Sequence, residues 1–569
     1  MMNITKRIFA LLLTVAVLIC TLAACNGKNE PENTTHAPTI EVTTPDQDTP
    51  VVSPTEKKIT SVNITCGKSA IENFAAAEMK WYFEKKNVTL SPDGYGITLT
   101  IDESIPRDGY RITADENGLV LAANNSRGMA YGLYGFLEKF LGVHFYSADT
   151  VVIDKGDVMI GTGLLMEVAP AFEILRNPWY PIEKFAEKDG GNTHTDADLT
   201  KSFTIGAVAS HLDSETVCLT NSKNQTRSIA YVEDFLSKNP HVTTIIITPN
   251  IGAENYCTCE DCAKINAEEN SPAGTFVRFV NMLAQKFDEK YPDVHFEIAV
   301  RDYLLKAPSL TKTAEGISVR FSTADCHISH PLNDVSCPVS LQFAESIRSW
   351  GAICEGVSVD YVLTATKDFI PVFANLGTLR ENMRFFAESG VSSITCSGNF
   401  VCPTGEFGEL RVYLISQLMQ NPYMTEEEYD TYIDTFLKDF YGEGWMYIRK
   451  FIDLTIELAA DGHQTADGSP FDAITKEEYE QYAATIEDWW DKAETLADNF
   501  FDNRADFVKR ARFQWRYIKL CLHPNAEDAQ ALITDAASNP RVGWREKQWN
   551  VDVANSDLSK APSEWKYKS

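Results

Sequence analysis

Residues 243–250 read TTIIITPN, which is six consecutive β-forming residues followed by a turn. A short apolar run of this kind, rich in β-branched residues and bounded by turn residues, is typical of a strand that is buried on both faces of a parallel sheet. Neighbouring strands of a parallel sheet are joined by crossover connections, which are usually helices. The sequence on either side should therefore alternate strands with helices.

Outward from this strand, strand and helix patterns do alternate between residues 172 and 399. Helical stretches with apolar residues at three- and four-residue spacing lie at 228–238, 271–290, 341–350 and 376–389. Eight strands over about 230 residues predict an α/β protein with a (β/α)8 TIM barrel, and an open doubly wound sheet is the alternative. The predicted strands are 172–176, 203–209, 216–221, 243–250, 295–302, 317–325, 356–362 and 392–399.

Regions of different pattern flank the predicted barrel domain, which we bound at 170–420. Residues 58–165 alternate short strands with two helical stretches, 75–85 and 127–141, and predict a small accessory α/β domain with Asn125 or Ser126 as a helix N-cap. Residues 421–569 contain amphipathic helical stretches punctuated by Gly and Pro, which predict a C-terminal helical domain.

The first 25 residues have the pattern of an export signal. Two basic residues, Lys6 and Arg7, precede an apolar run that ends in Leu-Ala-Ala-Cys25. This ending resembles a bacterial lipobox, which implies a lipid on Cys25; ordinary secretory cleavage is the alternative. Residues 26–57 are rich in Pro and Thr and predict a disordered linker. We therefore expect an extracytoplasmic, cell-surface lipoprotein that touches the membrane only through its lipid anchor.

Charge and composition narrow the partners. The formal net charge of −29 argues against nucleic acid and against an anionic membrane surface, because both require a basic footprint. Aromatic residues make up 11% of the chain and suit stacking on neutral ligands such as sugars, although most aromatic side chains are buried in any protein. A glycan is the partner that we expect, and the oligomeric state is left open.

Chemistry on a barrel is performed at the carboxyl ends of its strands. Acids in these positions, without a GxSxG, Walker or HExxH motif, favour glycosidic cleavage, in which one carboxyl group protonates the leaving oxygen. For each acid the alternative is a solvated loop residue or a helix N-cap. The catalytic candidates are Glu254, Asp360 and Glu406, and the candidates for substrate binding are Arg176, His194, Asn221, Asn250, Asp302, Tyr303, Asp325 and Tyr361.

Several ordered motifs resemble the bacterial family called domain of unknown function 4838. They include TTIIITPN, CTCEDC (257–262), FSTADCHISHPLNDVSC (321–337), SVDYV (358–362) and GEFGELRVYLISQLMQNP (405–422), within a span of about 59–445. The resemblance implies a barrel of the glycoside-hydrolase kind. Some members belong to glycoside hydrolase family 163, endo-β-N-acetylglucosaminidases of complex N-glycans. SRGMAYGLYGFLEKFLGVHFY (126–146) is similar to the end of the accessory domain in family 20 hexosaminidases and family 67 α-glucuronidases.

The sequence departs from the family pattern at three places. Gly252 stands where members often carry an aspartate, residues 202–216 lack a His-Pro-Glu-type motif, and Val359 replaces a tryptophan. The resemblance implies a glycoside hydrolase of N-acetylhexosaminidase type that cleaves O-glycosyl bonds. In it Glu254 would be the general acid, Asp360 would orient the acetamido group and Glu406 would close the pocket. A non-catalytic glycan-binding lipoprotein, a hydrolase of another bond and a lyase remain as alternatives.

Three cysteines, Cys257, Cys259 and Cys262, lie within six positions. Their thiols suit Zn²⁺, with a fourth ligand from the segment 326–337, which contains two cysteines and two histidines. Disulfides and free buried thiols are the alternatives. Eleven cysteines remain once the signal peptide is removed and Cys25 is lipidated, so at least one would be free, metal-bound or paired between chains. We predict no other cofactor.

Overall fold

The computed structural model describes residues 56–147, 150–176, 202–205, 217–249, 252, 254–398, 407–497, 504–539, 542–545 and 548–568. Strands at 174–176 and 202–205 are described by their backbone alone. The predicted signal peptide and Cys25, residues 26–55 of the predicted linker, and the candidates His194, Asn250 and Glu406 lie outside these residues.

The amino-terminal region is a six-stranded mixed sheet with two helices. The first helix, Ala70–Lys85, begins at a capping box between Ser69 and Glu72. The second helix, Ser126–Leu141, begins where the Asn125 side chain accepts a hydrogen bond from the Gly128 N–H, which confirms the predicted N-cap. The strands of this sheet are β2 (Ser61–Cys66), β3 (Thr89–Leu90), β4 (Tyr95–Ile101), β5 (Tyr110–Ala114), β6 (Gly118–Ala123) and β10 (Leu164–Val168). Their order in the sheet is β10-β5-β6-β4-β2-β3.

Two short antiparallel pairs accompany this sheet. They are β1 (Glu56–Lys58) with β9 (Met159–Gly161), and β7 (Val143–Ser147) with β8 (Thr150–Ile153).

The central element is a seven-stranded sheet in which every pairing is parallel. Its strands are β11 (Ile174–Arg176), β12 (Ser202–Ile205), β13 (Thr244–Ile247), β14 (His295–Ala299), β15 (Ile317–Ser322), β16 (Val357–Val362) and β17 (Ser393–Ser397). Their order in the sheet is β11-β17-β16-β15-β14-β13-β12, so the first strand lies beside the last and the others follow the order of the chain. This is the neighbour order of a barrel. No pairing between β11 and β12 is seen among the described residues, so closure of the sheet into a barrel is not shown.

One predicted strand is wrong. Residues 217–220 form a turn, and Asn221 is the N-cap of the helix Ser222–Lys238. The side-chain oxygen of Asn221 accepts hydrogen bonds from the backbone N–H groups of Lys223 and Asn224. An asparagine that satisfies two free amides at a helix start favours the cap over a strand end. Accordingly, β12 pairs directly with β13.

The two faces of the parallel sheet differ in polarity. Ile298, Val319 and Val359 belong to the hydrophobic core. Because side chains alternate between faces along a strand, Glu297, Arg320 and Asp360 lie on the opposite, polar face. The helices associated with this sheet are Ser222–Lys238, Glu260–Glu268, Ala273–Phe287, Pro338–Gly351, Leu379–Glu388 and Gly408–Gln420.

The carboxyl-terminal region is largely helical, as predicted. Its helices are Glu426–Tyr441, Trp445–Ala459, Lys476–Ala497, Arg504–Ala511, Phe513–Leu522 and Ala526–Ser538, and β18 (Asn550–Val551) pairs with β19 (Tyr567–Lys568). Its buried residues, among them Phe451 and Trp490, share one core with the parallel sheet. Short 3₁₀ turns occur at Asp302–Leu304, Gly442–Gly444, Pro470–Asp472, Val553–Asn555 and Pro562–Glu564. A search of the described helices for a stretch long and apolar enough to cross a bilayer finds none.

Candidate functional site

An ionic network crosses three adjacent strands on the polar face of the parallel sheet. Arg320 on β15 donates through Nε to Glu297 Oε2 on β14, at 2.7 Å, and through Nη1 to Asp360 Oδ1 on β16, at 2.8 Å. Burial alone lowers the pKa of Arg320, but the two carboxylates outweigh it and raise that pKa. The network therefore holds Asp360 in a fixed orientation beside the carboxyl end of β15.

Exposure separates the two acids of this network. The Glu297 side chain is 4% exposed, whereas the Asp360 side chain is 32% exposed. Glu297 is therefore a structural counter-ion for Arg320. Asp360 can also contact a ligand that sits over the polar face.

Glu254 lies in the loop after β13, where its backbone forms a tight turn. The Asn255 N–H donates to the Gly252 carbonyl at 3.1 Å, and the Tyr256 N–H donates to the Glu254 carbonyl at 3.0 Å. The Glu254 side chain is exposed. Gly252 has φ +118°, which residues with a side chain rarely adopt. An aspartate at this position would require a different loop, so the nearest acid that this loop can present is Glu254.

Aromatic rings pack close to this loop. The rings of Tyr256 and Tyr303 lie 5.4 Å apart, and Phe276 packs against Tyr303 at 6.4 Å. Both tyrosines line a small cavity that also touches Cys257 and Cys262. Tyr303 is half-buried, and burial raises the pKa of its hydroxyl group. A sugar contact by Tyr303 stays a prediction.

Two predicted acids lie beyond the strand ends. Strand β14 ends at Ala299, and Asp302 follows in a 3₁₀ turn with φ +53°, where its carboxylate accepts a hydrogen bond from Arg301 Nε at 2.9 Å. Strand β15 ends at Ser322, and Asp325 is exposed in the following loop. Both acids therefore remain near the carboxyl edge but on loops. Arg176 ends β11, described there by its backbone.

Two predicted contacts have no support in the structure. Asn221 uses its side-chain oxygen to cap a helix. Tyr361 is 2% exposed and belongs to the hydrophobic core, where its hydroxyl oxygen accepts a hydrogen bond from Asn382 Nδ2 at 2.8 Å. Since residues adjacent in a strand point to opposite faces, Tyr361 cannot share the polar face with Asp360. A sugar contact by Asn221 stays a prediction, and the buried position of Tyr361 does not support one there.

Four cysteine thiols meet beside the Glu254 loop. The sulfur atoms of Cys218, Cys257, Cys259 and Cys262 all lie within 4.8 Å of one another. Cys218 Sγ is 3.6 Å from Cys259 Sγ and 3.8 Å from Cys262 Sγ. Sulfur atoms about 3.8 Å apart are expected around a tetrahedral zinc ion with Zn–S bonds of about 2.3 Å. The ten described cysteines are all free thiols, so none of these four is in a disulfide.

Hydrogen bonds favour a thiolate in this cluster. The backbone N–H of Cys262 and the thiol of Cys218 lower the pKa of Cys259 to about 6. Thr220 Oγ1 lies 3.3 Å from Cys262 Sγ. The expectation that the fourth ligand comes from 326–337 is wrong, because Cys218 occupies that position. Three residues of that segment, His327, His330 and Cys337, belong to a second cluster of possible metal ligands, together with His463.

Glu297, Arg320 and Cys218 were not predicted as site residues from the sequence. Charged residues inside otherwise apolar strands were the available signal for the first two, because a buried charge requires a partner. A Cys-x-Cys-x-x-Cys motif with three thiols was the signal for the third, because a closed zinc site requires four ligands.

The parallel sheet with acids near its carboxyl edge defines an α/β protein whose described strands follow the neighbour order of a barrel. Residues 183–453 match the family model of a domain of unknown function, DUF4838. The resemblance inferred from the motifs is thereby confirmed. No curated protein matches the chain.

Solved structures similar to the chain include glycoside hydrolases. A GH138 enzyme targeting pectin rhamnogalacturonan II is 7% identical, with 84% of this chain and 90% of that chain covered and a TM-score of 0.38. CpGH84B is 13% identical, with the same coverage and a TM-score of 0.39. The GH20 β-N-acetylhexosaminidase from Streptomyces coelicolor A3(2) is 13% identical, with 69% and 94% covered and a TM-score of 0.39. Likeness this distant neither places residues nor assigns an activity.

Proposed function

We propose that the protein is a surface-anchored glycoside hydrolase that cleaves O-glycosyl bonds in complex glycans. The observation that carries the proposal is Asp360, a partly exposed carboxylate oriented by Arg320 on the polar face of an all-parallel sheet. Glu254 follows β13 of the same sheet and is exposed. Acids in this position on a (β/α) barrel, which we propose that the sheet forms, can perform glycosidic cleavage.

The mechanism that we propose is of the N-acetylhexosaminidase type. Asp360 accepts a hydrogen bond from the acetamido N–H of the substrate. This contact orients the acetamido group so that its carbonyl oxygen faces the anomeric carbon. That oxygen forms a bond to carbon as the glycosidic C–O bond breaks, and Glu254 gives its proton to the leaving oxygen. A water molecule, deprotonated by Glu254, then attacks the anomeric carbon and restores the acetamido group. Arg320 acts as a positioning residue for Asp360.

We propose that Tyr303 and Asp302, on the loop after β14, contact the sugar. Arg176, His194, Asn250 and Asp325 are the other residues to which we assign sugar contacts.

The first experiment identifies a substrate. The mature protein is incubated with a panel of labelled glycans that carry or lack a terminal N-acetylhexosamine, and products are separated by chromatography. Cleavage of N-acetylated substrates alone supports the proposed mechanism. Cleavage that is indifferent to the acetamido group contradicts it while keeping the class of enzyme.

The roles of Asp360 and Glu406 are then separated on one substrate. Asp360→Asn should lower kcat with little change in KM, because the acetamido contact strengthens in the transition state. Glu406→Gln should mainly raise KM, as loss of a ground-state hydroxyl contact does. The reversed pattern would exchange the two roles.

A glycan-binding lipoprotein without activity is the second candidate. Gly252 favours it, because the aspartate of the family pattern is absent and the loop has a glycine conformation. Binding of a glycan to the wild-type protein without release of any product, together with no effect of Asp360→Asn or Glu406→Gln, would establish this alternative.

Anchoring is proposed from the motif that ends at Cys25. We expect Cys25→Ser to move the protein from the membrane fraction to the medium or to leave its precursor uncut. Mature protein that begins elsewhere, with unchanged fractionation, would contradict the lipid anchor.

A structural zinc ion on Cys218, Cys257, Cys259 and Cys262 completes the proposal. The sulfur separations of 3.6 and 3.8 Å support it. An ion held by four protein thiolates has no open position, so its role is to fix the loop that carries Glu254. Zinc analysis of the wild-type protein and of Cys257→Ser tests this site.

A further inference from the structure

A second cluster of metal-ligand side chains lies beyond the carboxyl end of β15. His327, His330 and Cys337 belong to the connection between β15 and the helix Pro338–Gly351. His463 comes from the carboxyl-terminal region, between the helix Trp445–Ala459 and a 3₁₀ turn. One ligand atom from each of the four residues lies within 4.8 Å of the others.

The separations in this cluster are those of ligands around one ion. His327 Nδ1 lies 3.2 Å from Cys337 Sγ. The ring centroid of His463 lies 4.7 Å from that of His327 and 5.4 Å from that of His330. Nitrogen and sulfur ligands of a tetrahedral zinc ion, at about 2.0–2.3 Å from the metal, are about 3.3–3.8 Å apart. Small side-chain adjustments would bring all four to a common centre.

A buried polar atom points independently to a missing ligand. His330 is 6% exposed, and its Nε2 has no hydrogen-bond partner. The other ring nitrogen, Nδ1, faces Ser340 Oγ at 3.5 Å and Asp334 Oδ2 at 3.9 Å. A metal-bound histidine commonly has this arrangement, with one nitrogen on the metal and the other near a hydroxyl or carboxylate. An unpartnered buried nitrogen is otherwise costly.

Cys337 is buried at the start of a helix. It is 2% exposed and is the N-cap of the helix Pro338–Gly351, where its sulfur accepts a hydrogen bond from the Ser340 N–H at 3.5 Å. The fold therefore fixes this sulfur atom beside His327 Nδ1, its neighbour in the cluster.

Hydrogen bonds on both sides of His463 hold it against the cluster. The Ile328 N–H donates to the Gln464 carbonyl at 2.9 Å, and Ser329 Oγ donates to the Gly462 carbonyl at 2.5 Å. The His463 N–H donates to the Asp472 carbonyl at 2.8 Å. The fold therefore delivers His463 to the site before any metal binds.

We propose that His327, His330, Cys337 and His463 bind one Zn²⁺ ion that ties the helical region to the loop beyond β15. Three imidazole nitrogens and one thiolate are a ligand set that zinc accepts in tetrahedral geometry. Four protein ligands leave no open position, so the ion is structural. His463 is the exposed member of the set, and the ion enters and leaves from its side.

The main test is zinc content, which does not depend on any enzymatic activity. The full mature chain is loaded with zinc sulfate, dialysed against metal-free buffer and analysed by mass spectrometry of the metal. The double variant His327→Gln, His463→Gln leaves two of the four ligands and should lose about one equivalent of zinc per chain. His241→Gln, at an exposed histidine outside the cluster, should lose none. Circular dichroism verifies that each variant is folded.

A ligand exchange sharpens the test. His463→Gln alone should weaken zinc binding in competition with a chelator by at least the roughly 10- to 100-fold that loss of an outer-shell partner causes, and His463→Cys should restore it. With Co²⁺ in place of zinc, His463→Cys should also increase the thiolate-to-cobalt absorption, because the set then has two thiolates. Cys257→Ser, in the other cluster, should remove only that cluster's own share of zinc and of thiolate-to-cobalt absorption, and the differences caused by His463→Gln and His463→Cys should be the same in its background. Wild-type zinc content in the folded double variant, or wild-type protein that holds no zinc after loading, would overturn the proposal.

Discussion

Asp360 and Tyr361 are adjacent in β16, yet they lie in opposite environments. The Asp360 side chain is 32% exposed on the polar face and receives a hydrogen bond from Arg320. Tyr361 is buried in the hydrophobic core, where Asn382 donates to its hydroxyl oxygen. Because side chains alternate along a strand, an Asp-Tyr motif within a strand supplies one residue to each face. Asp360 on the polar face is accessible from solvent, whereas Tyr361 on the core face is part of the packing.

The two faces also differ in how their polar groups are satisfied. On the polar face Arg320 connects two acids across neighbouring strands, and one of those acids remains open to a ligand. On the core face the polar contacts are local and buried. We therefore expect substitutions at the polar face to change catalysis and substitutions behind the core face to change the free energy of unfolding.

The largest expected effect is at Glu254, beyond the end of β13. Glu254→Gln keeps the shape of the side chain and removes its proton, so turnover should fall about 10²- to 10⁴-fold, the usual contribution of general acid catalysis. Steady-state kinetics on a substrate with a poor leaving group measures this effect.

Glu260→Gln is the matched control, because Glu260 is also exposed and lies six residues further on, in the first turn of the helix Glu260–Glu268. Its turnover should equal that of the wild type. Equal rates for Glu254→Gln and the wild type would transfer the acid role to Asp302 or Asp360.

The second largest loss of turnover is expected at Asp360. Asp360→Asn keeps an oxygen for the Arg320 hydrogen bond but loses the charge, so the fold should survive while kcat falls about 10²- to 10³-fold. Ser358→Ala, two residues earlier on the same face, is the control and should have little effect on kcat. A loss of thermal stability in Asp360→Asn that accounts for the whole loss of activity would make Asp360 a structural residue.

Sequence patterns predicted most of the parallel sheet. Seven of the eight predicted strands are present, because runs such as Thr244–Ile247 are apolar and β-branched over their whole length. The third strand failed because Asn221 begins a helix, and a cap and a strand end have similar local sequences. Barrel closure depends on contacts between β11 and β12, which neither strand encodes alone.

The site was less predictable, because its parts are far apart in the chain. The spacing of Cys257, Cys259 and Cys262 is visible locally, whereas Cys218 joins them from the start of an earlier helix. His463 reaches His327 only because the helical region packs on the sheet. Period-two alternation could have separated Asp360 from Tyr361, but the family motif favoured treating them as one unit.

A buried acid on the helix side should affect stability rather than rate. Glu269 is 0% exposed and accepts hydrogen bonds from Arg278 and from the backbone of Leu310 and Thr311. Burial alone would raise its pKa, but the side chain and backbone of Thr311, with Arg278, outweigh burial and lower the pKa from 4.5 to about 2. That difference corresponds to about 3 kcal/mol of stability.

The pH dependence of that stability has a definite sign. Because the pKa of Glu269 is lower in the folded than in the unfolded protein, its contribution is complete above about pH 4.5 and is lost as the pH falls toward 2. Glu269→Gln should therefore unfold more easily than the wild type at pH 7, and the gap should narrow between pH 5 and pH 2. The control is Glu268→Gln, at an acid that is 46% exposed. A gap that does not change with pH would contradict this assignment.

The smallest expected effect is at Tyr361, and it tests the division between the faces most directly. Tyr361→Phe removes the acceptor of the Asn382 N–H, and Asn382 is 1% exposed, so no water replaces it. A buried donor without a partner costs about 1–2 kcal/mol, which denaturant unfolding can measure. Because the ring still fills its place in the core, kcat and KM should stay at wild-type values. Tyr429→Phe is the control for a buried tyrosine elsewhere, since its hydroxyl group donates to the Leu376 carbonyl at 2.7 Å. A large loss of kcat in Tyr361→Phe, with stability like that of Tyr429→Phe, would mean that the Asp-Tyr pair acts as one unit after all.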